Sequence, residues 1–280
     1  MIWILLLVGL LIPVLLSLVF FIAPGKVSPE AKAMAKVFYG LNCAHRGLYT
    51  KDQKIPENSI PAFAAAQKEN YGVELDIQFS RDKQVIVFHD DDLKRMCNID
   101  ARVDSMDWDE LSALPLSGTG ECIPLLTDVI DLLSDTPVIV ELKAAGNNNI
   151  MLCEETLKIM RQKGINWCVE SFDPFIVAWF RKHAPDVLRG QLSCLPREYN
   201  GLSKISSFVL GNLLMNFISR PHFIAYSTSQ QPLLVRLCRI LNPINVIWTA
   251  KPDDDITRFE KENDTIIFEH YKPATRYKSF

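Results

Sequence analysis

The sequence lacks the cysteine spacing of a disulfide framework or of a zinc site. Its seven cysteines are scattered along 280 residues, their number is odd, and no C-x-x-C pair occurs. This usage favours a reducing compartment. An excess of basic residues is also missing, because 30 Lys and Arg face 33 Asp and Glu, so nucleic acid is not a predicted partner.

Charged side chains are absent from the first 24 residues, MIWILLLVGLLIPVLLSLVFFIAP. A helix of about 20 apolar residues spans the hydrocarbon core of a bilayer. A cleaved signal peptide would begin with a basic stretch and carry a shorter apolar region, and neither feature is present. We therefore expect residues 1–24 to form an uncleaved, single-pass transmembrane anchor. Lys26, Lys32 and Lys36 follow it and no Lys or Arg precedes it, which predicts a main domain on the cytoplasmic side.

The rest of the chain predicts a short helical linker over residues 25–39 and a single domain over residues 40–280. Short apolar runs rich in β-branched and aromatic residues alternate there with amphipathic stretches, as in buried parallel strands joined by helices. This alternation predicts a (β/α)8 TIM barrel. A doubly wound sheet is the alternative, but no glycine-rich phosphate loop follows the first strand. The nine runs are GLNCA, GVELDIQF, QVIVFH, PVIVEL, WCVES, VLRGQL, HFIAY, NVIWT and TIIFE.

Two segments depart from a regular barrel. Only Ser80–Lys83 separate the second run from the third, too few residues for a crossover helix, and nine runs compete for eight places. We therefore expect a distorted barrel. The segment Leu202–Phe223 is markedly apolar, with basic residues only near its ends. It fits either an ordinary barrel helix or an interfacial helix that rests on the membrane.

Polar residues recur at the ends of runs that are otherwise apolar, where TIM barrels place their active sites. Glu74 and Asp76 are two residues apart, so their side chains share one face of a strand. Together with Glu141 they would repel one another unless a proton or a cation lay between them. Three hard oxygen donors suit Mg²⁺ or Ca²⁺. The alternative is a buried ion-pair network in which Arg46 and Lys143 neutralise the carboxylates.

The remaining polar residues at these ends complete the groups needed to cleave a phosphodiester. Of His45 and His89, one could accept a proton from an attacking hydroxyl or water and the other could donate one to a leaving oxygen. A cation would hold a phosphoryl oxygen, and Arg46 and Lys143 would add fixed positive charge. Trp248 either lines this site or packs within the barrel.

The ordered motifs carry a resemblance. HRG with PENS downstream, ELDIQFSRDKQVIVFHDDDLKR, IPLLTDVIDLL, VIVELK, ESFDPFIVAWFRKHAPDVLRGQL and VIWTAKPDDDITRF together resemble the glycerophosphodiester phosphodiesterase family over residues 42–268. The resemblance implies a TIM barrel that uses a divalent cation to cleave glycerophosphodiesters to glycerol phosphate and an alcohol.

The resemblance also implies a role for each matching residue. These are an acid–base pair (His45, His89), metal ligands (Glu74, Asp76, Glu141), phosphate-site residues (Arg46, Lys143) and the Glu-Asn pair that follows HRG (Glu57, Asn58). Glu57 and Asn58 are expected in the outer shell of the metal. Residues 196–220 depart most from the soluble members of the family, which leaves the substrate open.

Two hypotheses follow. In the first, the chain is a membrane-anchored, metal-dependent phosphodiesterase that acts on a lipid-derived substrate, either a lysophospholipid cleaved in the manner of a phospholipase D or a deacylated headgroup diester. Tethering would raise the concentration of such a substrate at the site. In the second, the chain is a non-catalytic barrel that binds lipid or phosphate at the membrane. A degenerate relative should have lost a metal or acid–base residue, and none is missing. No oligomeric state is predicted.

Overall fold

The computed structural model describes residues 2–143 and 148–279, with side chains from residue 12 onward. Nine strands lie in these ranges. They are β1 (Asn42–His45), β2 (Gly72–Phe79), β3 (Val85–Val87), β4 (Val138–Leu142), β5 (Trp167–Ser171), β6 (Arg189–Ser193), β7 (Phe223–Ser227), β8 (Ile244–Ala250) and β9 (Thr265–Phe268).

Eight of the strands close into a parallel barrel. β1 pairs with β2 on one side and with β9 on the other, and the parallel pairings between them run in the order β2, β4, β5, β6, β7, β8, β9. The predicted TIM barrel is confirmed. The alternative of a doubly wound sheet is wrong, because such a sheet is open, whereas here the pairing of β1 with both β2 and β9 closes the ring of strands.

The ninth strand lies outside the barrel. β3 pairs antiparallel with the distal half of β2, with Ile77 opposite Val87 and Phe79 opposite Val85. A tight turn joins them, in which the Ser80 hydroxyl accepts a hydrogen bond from the Gln84 amide at 2.9 Å. The third run is therefore the one of the nine that takes no place in the barrel, because the short connection permits a hairpin only. β2 and β3 form an arm that extends from the barrel, and this arm is the distortion that the short Ser80–Lys83 connection predicted.

Twelve helices accompany the strands in the described ranges, most of them in the crossover positions of the barrel. They are α1 (Ile2–Ile22), α2 (Pro29–Phe38), α3 (Ile60–Lys68), α4 (Lys94–Cys97), α5 (Trp108–Leu111), α6 (Leu126–Leu132), α7 (Asn149–Lys163), α8 (Pro174–His183), α9 (Lys204–Gly211), α10 (Asn216–Ser219), α11 (Leu233–Ile240) and α12 (Ile256–Glu262).

The segment predicted as a linker contains a helix that packs on the barrel. Ser28 caps α2 by accepting a hydrogen bond from the Ala31 amide at 3.1 Å, and Pro29 occupies its first turn. Ala31 and Phe38 are buried in one apolar cluster with Phe223, which begins β7. Since β7 starts at the amino-terminal end of the barrel, α2 covers that end, opposite the mouth.

The end of α1 also joins the domain. Ile22 is 1% exposed, in a cluster with Leu213, Tyr226 and Val235. Before it the helix emerges, and Leu15 and Leu16 are 57% and 64% exposed. Side chains of residues 1–11, within the predicted anchor, lie outside the described residues. In the part of the chain that the structure describes, we find no helix of the length and apolar character needed to cross a bilayer.

The apolar segment 202–223 is divided between two short helices, α9 and α10. A turn separates them, with Leu213 at a φ of 59°. α10 packs against α8 and α1 as part of the barrel wall. The start of α9 is exposed instead, with Ile205 and Phe208 at 78% and 53%.

Candidate active site

A cavity of about 1010 Å³ opens at the carboxyl ends of the barrel strands. Seven of the ten residues predicted for the site line it, namely His45, Arg46, Glu74, His89, Glu141, Lys143 and Trp248. The other three contact these liners or one another from behind, namely Asp76, Glu57 and Asn58. The structure therefore brings every predicted site residue to the mouth of the barrel.

Three buried carboxylates converge below the mouth. The register of β2 against β4 places Asp76 beside Glu141, and Glu74 faces the same side of β2 two residues earlier. One oxygen of each carboxylate lies within 4.8 Å of the others. Hard oxygen donors at this spacing fit Mg²⁺ or Ca²⁺. The predicted metal ligands are thus together, in a geometry that can hold a divalent cation.

The electrostatics of the cluster also fit a cation. Burial, followed by repulsion from Asp76 and Glu141, raises the pKa of Glu74 well above its usual value. Burial also raises the pKa of Glu141. Although burial opposes it, attraction from Lys143, His89 and Arg46 holds the pKa of Asp76 well below its usual value. The cations of the chain therefore neutralise this cluster only in part.

Two basic side chains occupy the edge of the cluster. The Lys143 ammonium lies 2.8 Å from Asp76 Oδ1 and 2.7 Å from Glu141 Oε1. The Arg46 Nε lies 3.2 Å from Asp76 Oδ2, and the amide of Asn58 donates to the same oxygen at 2.9 Å. Part of the ion-pair alternative is thus present. Among the described residues, it leaves Glu74 with the backbone amide of Arg46 as its one hydrogen-bond donor, at 3.0 Å.

Each of the two histidines is held by a carboxylate at Nδ1. His45 Nδ1 lies 2.9 Å from Glu269 Oε2, and His89 Nδ1 lies 2.6 Å from Asp90 Oδ1. A carboxylate at Nδ1 favours the tautomer that carries its proton there, which leaves Nε2 free to exchange a proton in the cavity. Burial, then the nearby Arg46, lowers the pKa of His45, and Glu269 opposes that shift.

Sequence reasoning missed Glu269. It directly follows β9, and its carboxylate also accepts a hydrogen bond from the Tyr49 hydroxyl at 2.8 Å and lies 3.2 Å from the ammonium of Lys251. Although burial opposes it, the hydrogen bond from His45 holds the pKa of Glu269 well below its usual value. The signal was available, because Glu269 is a polar residue at a strand end like the others.

Glu57 does not lie in the carboxylate cluster. Its side chain is 5% exposed and pairs with Arg46 at 2.6 Å and with Arg95 at 2.7 Å. Arg95, which the sequence did not single out, also contacts Asp90 at 2.6 Å. Arg46 stands between Glu57 and the carboxylate cluster, because it pairs with both Glu57 and Asp76, and the outer-shell position of Glu57 stays a prediction. Glu57 fixes two guanidinium groups, and through Arg95 it connects to the carboxylate that holds His89.

An aromatic wall faces the charged side of the cavity. Trp248 lines it and stands edge-on to Phe172 at 5.5 Å, and Phe172 in turn contacts Tyr199 at 5.9 Å. The indole Nε1 of Trp248 donates to the backbone oxygen of Ala225 at 3.1 Å. Both alternatives for Trp248 therefore hold, because one side chain packs in the barrel and lines the site. Cys43 is fully buried, as expected of a small packing residue.

The site can be compared with known proteins. The family model described as "Glycerophosphoryl diester phosphodiesterase family" matches residues 45–270. A glycerophosphodiester phosphodiesterase of Caldanaerobacter subterraneus is 26% identical over 232 residues, which cover 78% of this chain and 88% of that protein. A probable glycerophosphodiester phosphodiesterase 2 of Mycobacterium tuberculosis is 34% identical over 104 residues, which cover 37% of this chain and 38% of that protein. A human lysophospholipase D is 29% identical, over 41% of this chain and 39% of its own length.

Solved structures share the fold. A putative glycerophosphoryl diester phosphodiesterase of Silicibacter pomeroyi aligns with a TM-score of 0.67 at 19% identity, over 85% of this chain and 93% of its own. A phosphodiesterase of Oleispira antarctica, solved in complex with the product sn-glycerol-3-phosphate, aligns with a TM-score of 0.67 at 20% identity, over 84% and 94% of the two chains.

The family match covers the barrel from the last residue of β1 to the end of β9, together with all of the predicted site residues and Glu269. Enzymes of this family use divalent cations, which agrees with the cluster of three carboxylates. The chain therefore belongs to the glycerophosphoryl diester phosphodiesterase family and is a phosphoric diester hydrolase.

Proposed function

We propose that the chain hydrolyses lipid-derived glycerophosphodiesters by acid–base catalysis between His45 and His89, beside a Mg²⁺ or Ca²⁺ ion held by Glu74, Asp76 and Glu141. One observation carries this proposal. Both imidazoles are fixed at Nδ1 by carboxylates, at 2.9 Å and 2.6 Å, next to a cluster of three carboxylate oxygens within 4.8 Å. A proton acceptor, a proton donor and a cation site thus surround one cavity.

The two histidines take different roles. Burial and Arg46 lower the pKa of His45, so this imidazole is neutral at pH 7 and its Nε2 accepts the proton of the attacking water or hydroxyl. His89 then donates a proton to the leaving alcohol oxygen. A bound divalent cation polarises the phosphoryl group and stabilises charge on its oxygens. Arg46 and Lys143 line the same cavity and add fixed positive charge.

The lipid origin of the substrate is supported by the cavity wall. Phe172, Leu192 and Trp248 place apolar surface opposite the charged residues, which suits a diester that carries an apolar part. One relative bears the name lysophospholipase D. Lysophospholipids are accordingly one of the two substrate classes that we propose, and deacylated headgroup diesters are the other. In a lysophospholipid the free sn-2 hydroxyl can itself attack phosphorus, which would release a cyclic phosphate first.

Membrane attachment is the second part of the proposal. Residues 1–24 carry no charge, and the helix they form exposes apolar side chains before it reaches the barrel. The exposed Ile205 and Phe208 of α9 follow closely after Tyr199 and Asn200, which line the cavity. We propose that α1 anchors the chain with its domain in the cytoplasm, and that α9 rests on the lipid surface beside the mouth.

The catalytic proposal is tested by a product assay on a panel of lysophospholipids and water-soluble glycerophosphodiesters, with Mg²⁺ and Ca²⁺ supplied separately. We expect wild-type turnover of the lipid-derived substrates and a loss of at least about 100-fold for His89→Ala and Glu74→Ala. Wild-type rates in either variant would contradict the mechanism. A preference for soluble diesters would overturn the lipid assignment alone, and no turnover of any substrate would favour the non-catalytic barrel.

The product of lysophospholipid cleavage separates the two routes of attack. Phosphorus NMR at early times would show a cyclic phosphate if the sn-2 hydroxyl attacks, and open-chain phosphate alone if water attacks.

Membrane attachment is tested by expressing the full chain in cells and extracting the membranes with alkaline carbonate. We expect the chain to stay in the membrane pellet. Its release into the carbonate supernatant would contradict the anchor.

A further inference from the structure

A second cavity lies between α11 and α12, on the outer side of the barrel. Its volume is about 740 Å³, and the apolar side chains of Ile247 and Phe259 form part of its lining. Three arginines line it: Arg236, Arg239 and Arg258. Glu262 is the one acidic residue among the described residues that line this arginine groove.

The three guanidinium groups have no carboxylate partner in the described part of the chain. Among the described residues, no carboxylate oxygen of an Asp or Glu lies within 4.0 Å of them. Arg239 donates to the backbone oxygen of Glu262 and to two further neutral oxygens, Gln231 Oε1 at 3.1 Å and Asn263 Oδ1 at 3.3 Å. Arg258 stands over the Phe259 ring at 5.1 Å. Positive charge that converges on a cavity without such pairing favours an anionic ligand.

The arginine groove adjoins the catalytic cavity. Thr228 and Ser229 line both cavities, so they form the wall between them. The hydroxyl of Ser229 donates to the Glu198 carboxylate, which fixes this wall on the side of the catalytic mouth. A ligand group in the arginine groove would therefore lie next to a substrate in the catalytic cavity.

The surface around the groove suits a lipid headgroup. Leu233 and Ile240 are 67% and 76% exposed, and they lie three and four residues from Arg236 on the same face of α11. α1 packs against α11. Apolar side chains thus flank a cationic groove on the helix that contacts the proposed anchor.

We propose that the arginine groove binds a phosphomonoester, carried either on the headgroup of the phosphodiester substrate or on the headgroup of a neighbouring lipid. Guanidinium groups match the geometry of phosphate oxygens, and a phosphomonoester carries a charge of about −1.5 to −2 at pH 7, more than one carboxylate. If the phosphomonoester is carried by the substrate, the inference rests on the proposed function, because the chain must then cleave that diester.

The first test compares two diesters that differ by a single phosphate, glycerophosphoinositol and glycerophosphoinositol 4-phosphate. We expect the wild type to prefer the phosphorylated diester, and Arg236→Gln/Arg258→Gln to lose about tenfold in kcat/KM for it through a higher KM. The rate on glycerophosphoinositol should not change. Arg102→Gln/Arg161→Gln is the matched control, since it removes two exposed arginines that line neither cavity.

The second test identifies a lipid source. Full-length protein is incubated with phosphatidylcholine vesicles with and without phosphatidylinositol 4-phosphate, and the bound fraction is measured by sedimentation. Stronger binding to the phosphoinositide vesicles that only the Arg236→Gln/Arg258→Gln variant loses would support the lipid headgroup. The inference is overturned if the wild type discriminates in neither test, or if the double variant discriminates as the wild type does. If the wild type cleaves neither diester, the substrate headgroup is ruled out as the source, and the vesicle test decides the inference independently of the proposed function.

Discussion

The two imidazoles of the site share one arrangement although their carboxylate partners come from different parts of the chain. His45 follows β1 and is held by Glu269 after β9, whereas His89 follows β3 and is held by the adjacent Asp90. In both cases the carboxylate accepts from Nδ1 and so directs Nε2 towards the cavity. Orientation of a catalytic imidazole by a buried acid accounts for a large part of its effect in other enzymes.

Replacing Glu269 tests this role. We expect Glu269→Gln to lower kcat/KM about 10- to 100-fold, because an amide does not fix the proton on Nδ1. Glu269 raises the pKa of His45, so its loss lowers that pKa further. The base is active when deprotonated, and the rise of kcat/KM with pH should therefore move to lower pH. Glu260→Gln is the control, and an unchanged pH profile in Glu269→Gln would contradict a positioning role.

The carboxylate cluster lowers the free energy of unfolding when no cation is bound, and a bound cation should offset this loss. Since burial and the neighbouring carboxylates raise the pKa of Glu74, we expect Glu74→Gln to raise the free energy of unfolding of chelator-treated protein by about 1 kcal/mol. Added Mg²⁺ or Ca²⁺ should stabilise the wild type by about 2.7 kcal/mol at 100 times its Kd, and this variant not at all. Thermal unfolding with and without cation measures both effects.

Glu170 provides the comparison for Glu74. It lies on β5 beside Glu141, is 1% exposed and has an unpartnered Oε2, and burial raises its pKa well above the usual value. Its carboxylate is outside the cluster of three in the described chain. Glu170→Gln should therefore keep the cation-dependent rise in Tm. Loss of that rise in Glu170→Gln and its retention in Glu74→Gln would contradict the assignment of the ligands.

At the scale of elements, the arm formed by β2 and β3 determines where His89 lies. β2 extends beyond its barrel neighbour β4, and β3 returns antiparallel along β2. As a result, the backbone amide of Phe88 donates to the backbone oxygen of Asp76 at 3.0 Å. The next residue is His89, which therefore lies at the level of the metal ligands.

The arm is tied to the loop after β1 by Arg95. Arg95 pairs with Glu57 at 2.7 Å and with Asp90 at 2.6 Å, and it helps to hold the pKa of both carboxyls below their usual values against the effect of burial. We expect Arg95→Met to lower the free energy of unfolding at pH 7 by about 1–2 kcal/mol, since Arg95 is half-exposed and Glu57 is buried.

The pH dependence of this effect follows from the direction of the shifts. A carboxyl with a depressed pKa stabilises the fold above its unfolded pKa of about 4, and this contribution is lost as the pH falls through the folded value. The difference between Arg95→Met and wild type should therefore be largest at pH 7 and shrink below about pH 4. Lys94→Met, which removes an exposed cation without an ion pair in the described chain, is the control. A difference independent of pH would indicate lost packing instead.

Local patterns predicted the part of the site that depends on local geometry. Glu74 and Asp76 share a face because the side-chain period of a strand is two, and the short Ser80–Lys83 connection signalled that β3 departs from the barrel. Contacts that form only when the barrel closes could not be predicted from local patterns. The pair His45 and Glu269 is separated by 224 residues, and it forms because the first strand pairs with the last. Arg95 also escaped prediction, since its partners lie on separate loops.

At the scale of the whole molecule, the amino-terminal segment is joined to the barrel. The Asn216 side-chain amide donates to the Ile22 backbone oxygen at 2.8 Å, the Arg220 guanidinium donates to the Ala23 oxygen at 3.0 Å, and the Gly25 amide donates to the Pro221 oxygen at 2.8 Å. α2 then covers the end of the barrel opposite the mouth. If α1 is the anchor, these contacts couple the membrane to the barrel rigidly.

The last prediction measures that coupling. Ile22→Ala removes a side chain that is 1% exposed and packs with Leu213, Tyr226 and Val235, so we expect a loss of about 2–5 kcal/mol in the free energy of unfolding of the domain. Leu15→Ala makes a similar truncation at a residue that is 57% exposed, and it should change the free energy of unfolding by less than about 0.5 kcal/mol. Denaturant unfolding of the full chain in detergent, followed by tryptophan fluorescence, compares the two. Equal changes in the free energy of unfolding would mean that α1 does not pack at a fixed position on the barrel. A large loss in Ile22→Ala with little change in Leu15→Ala is expected only if the last turn of α1 belongs to the core of the domain.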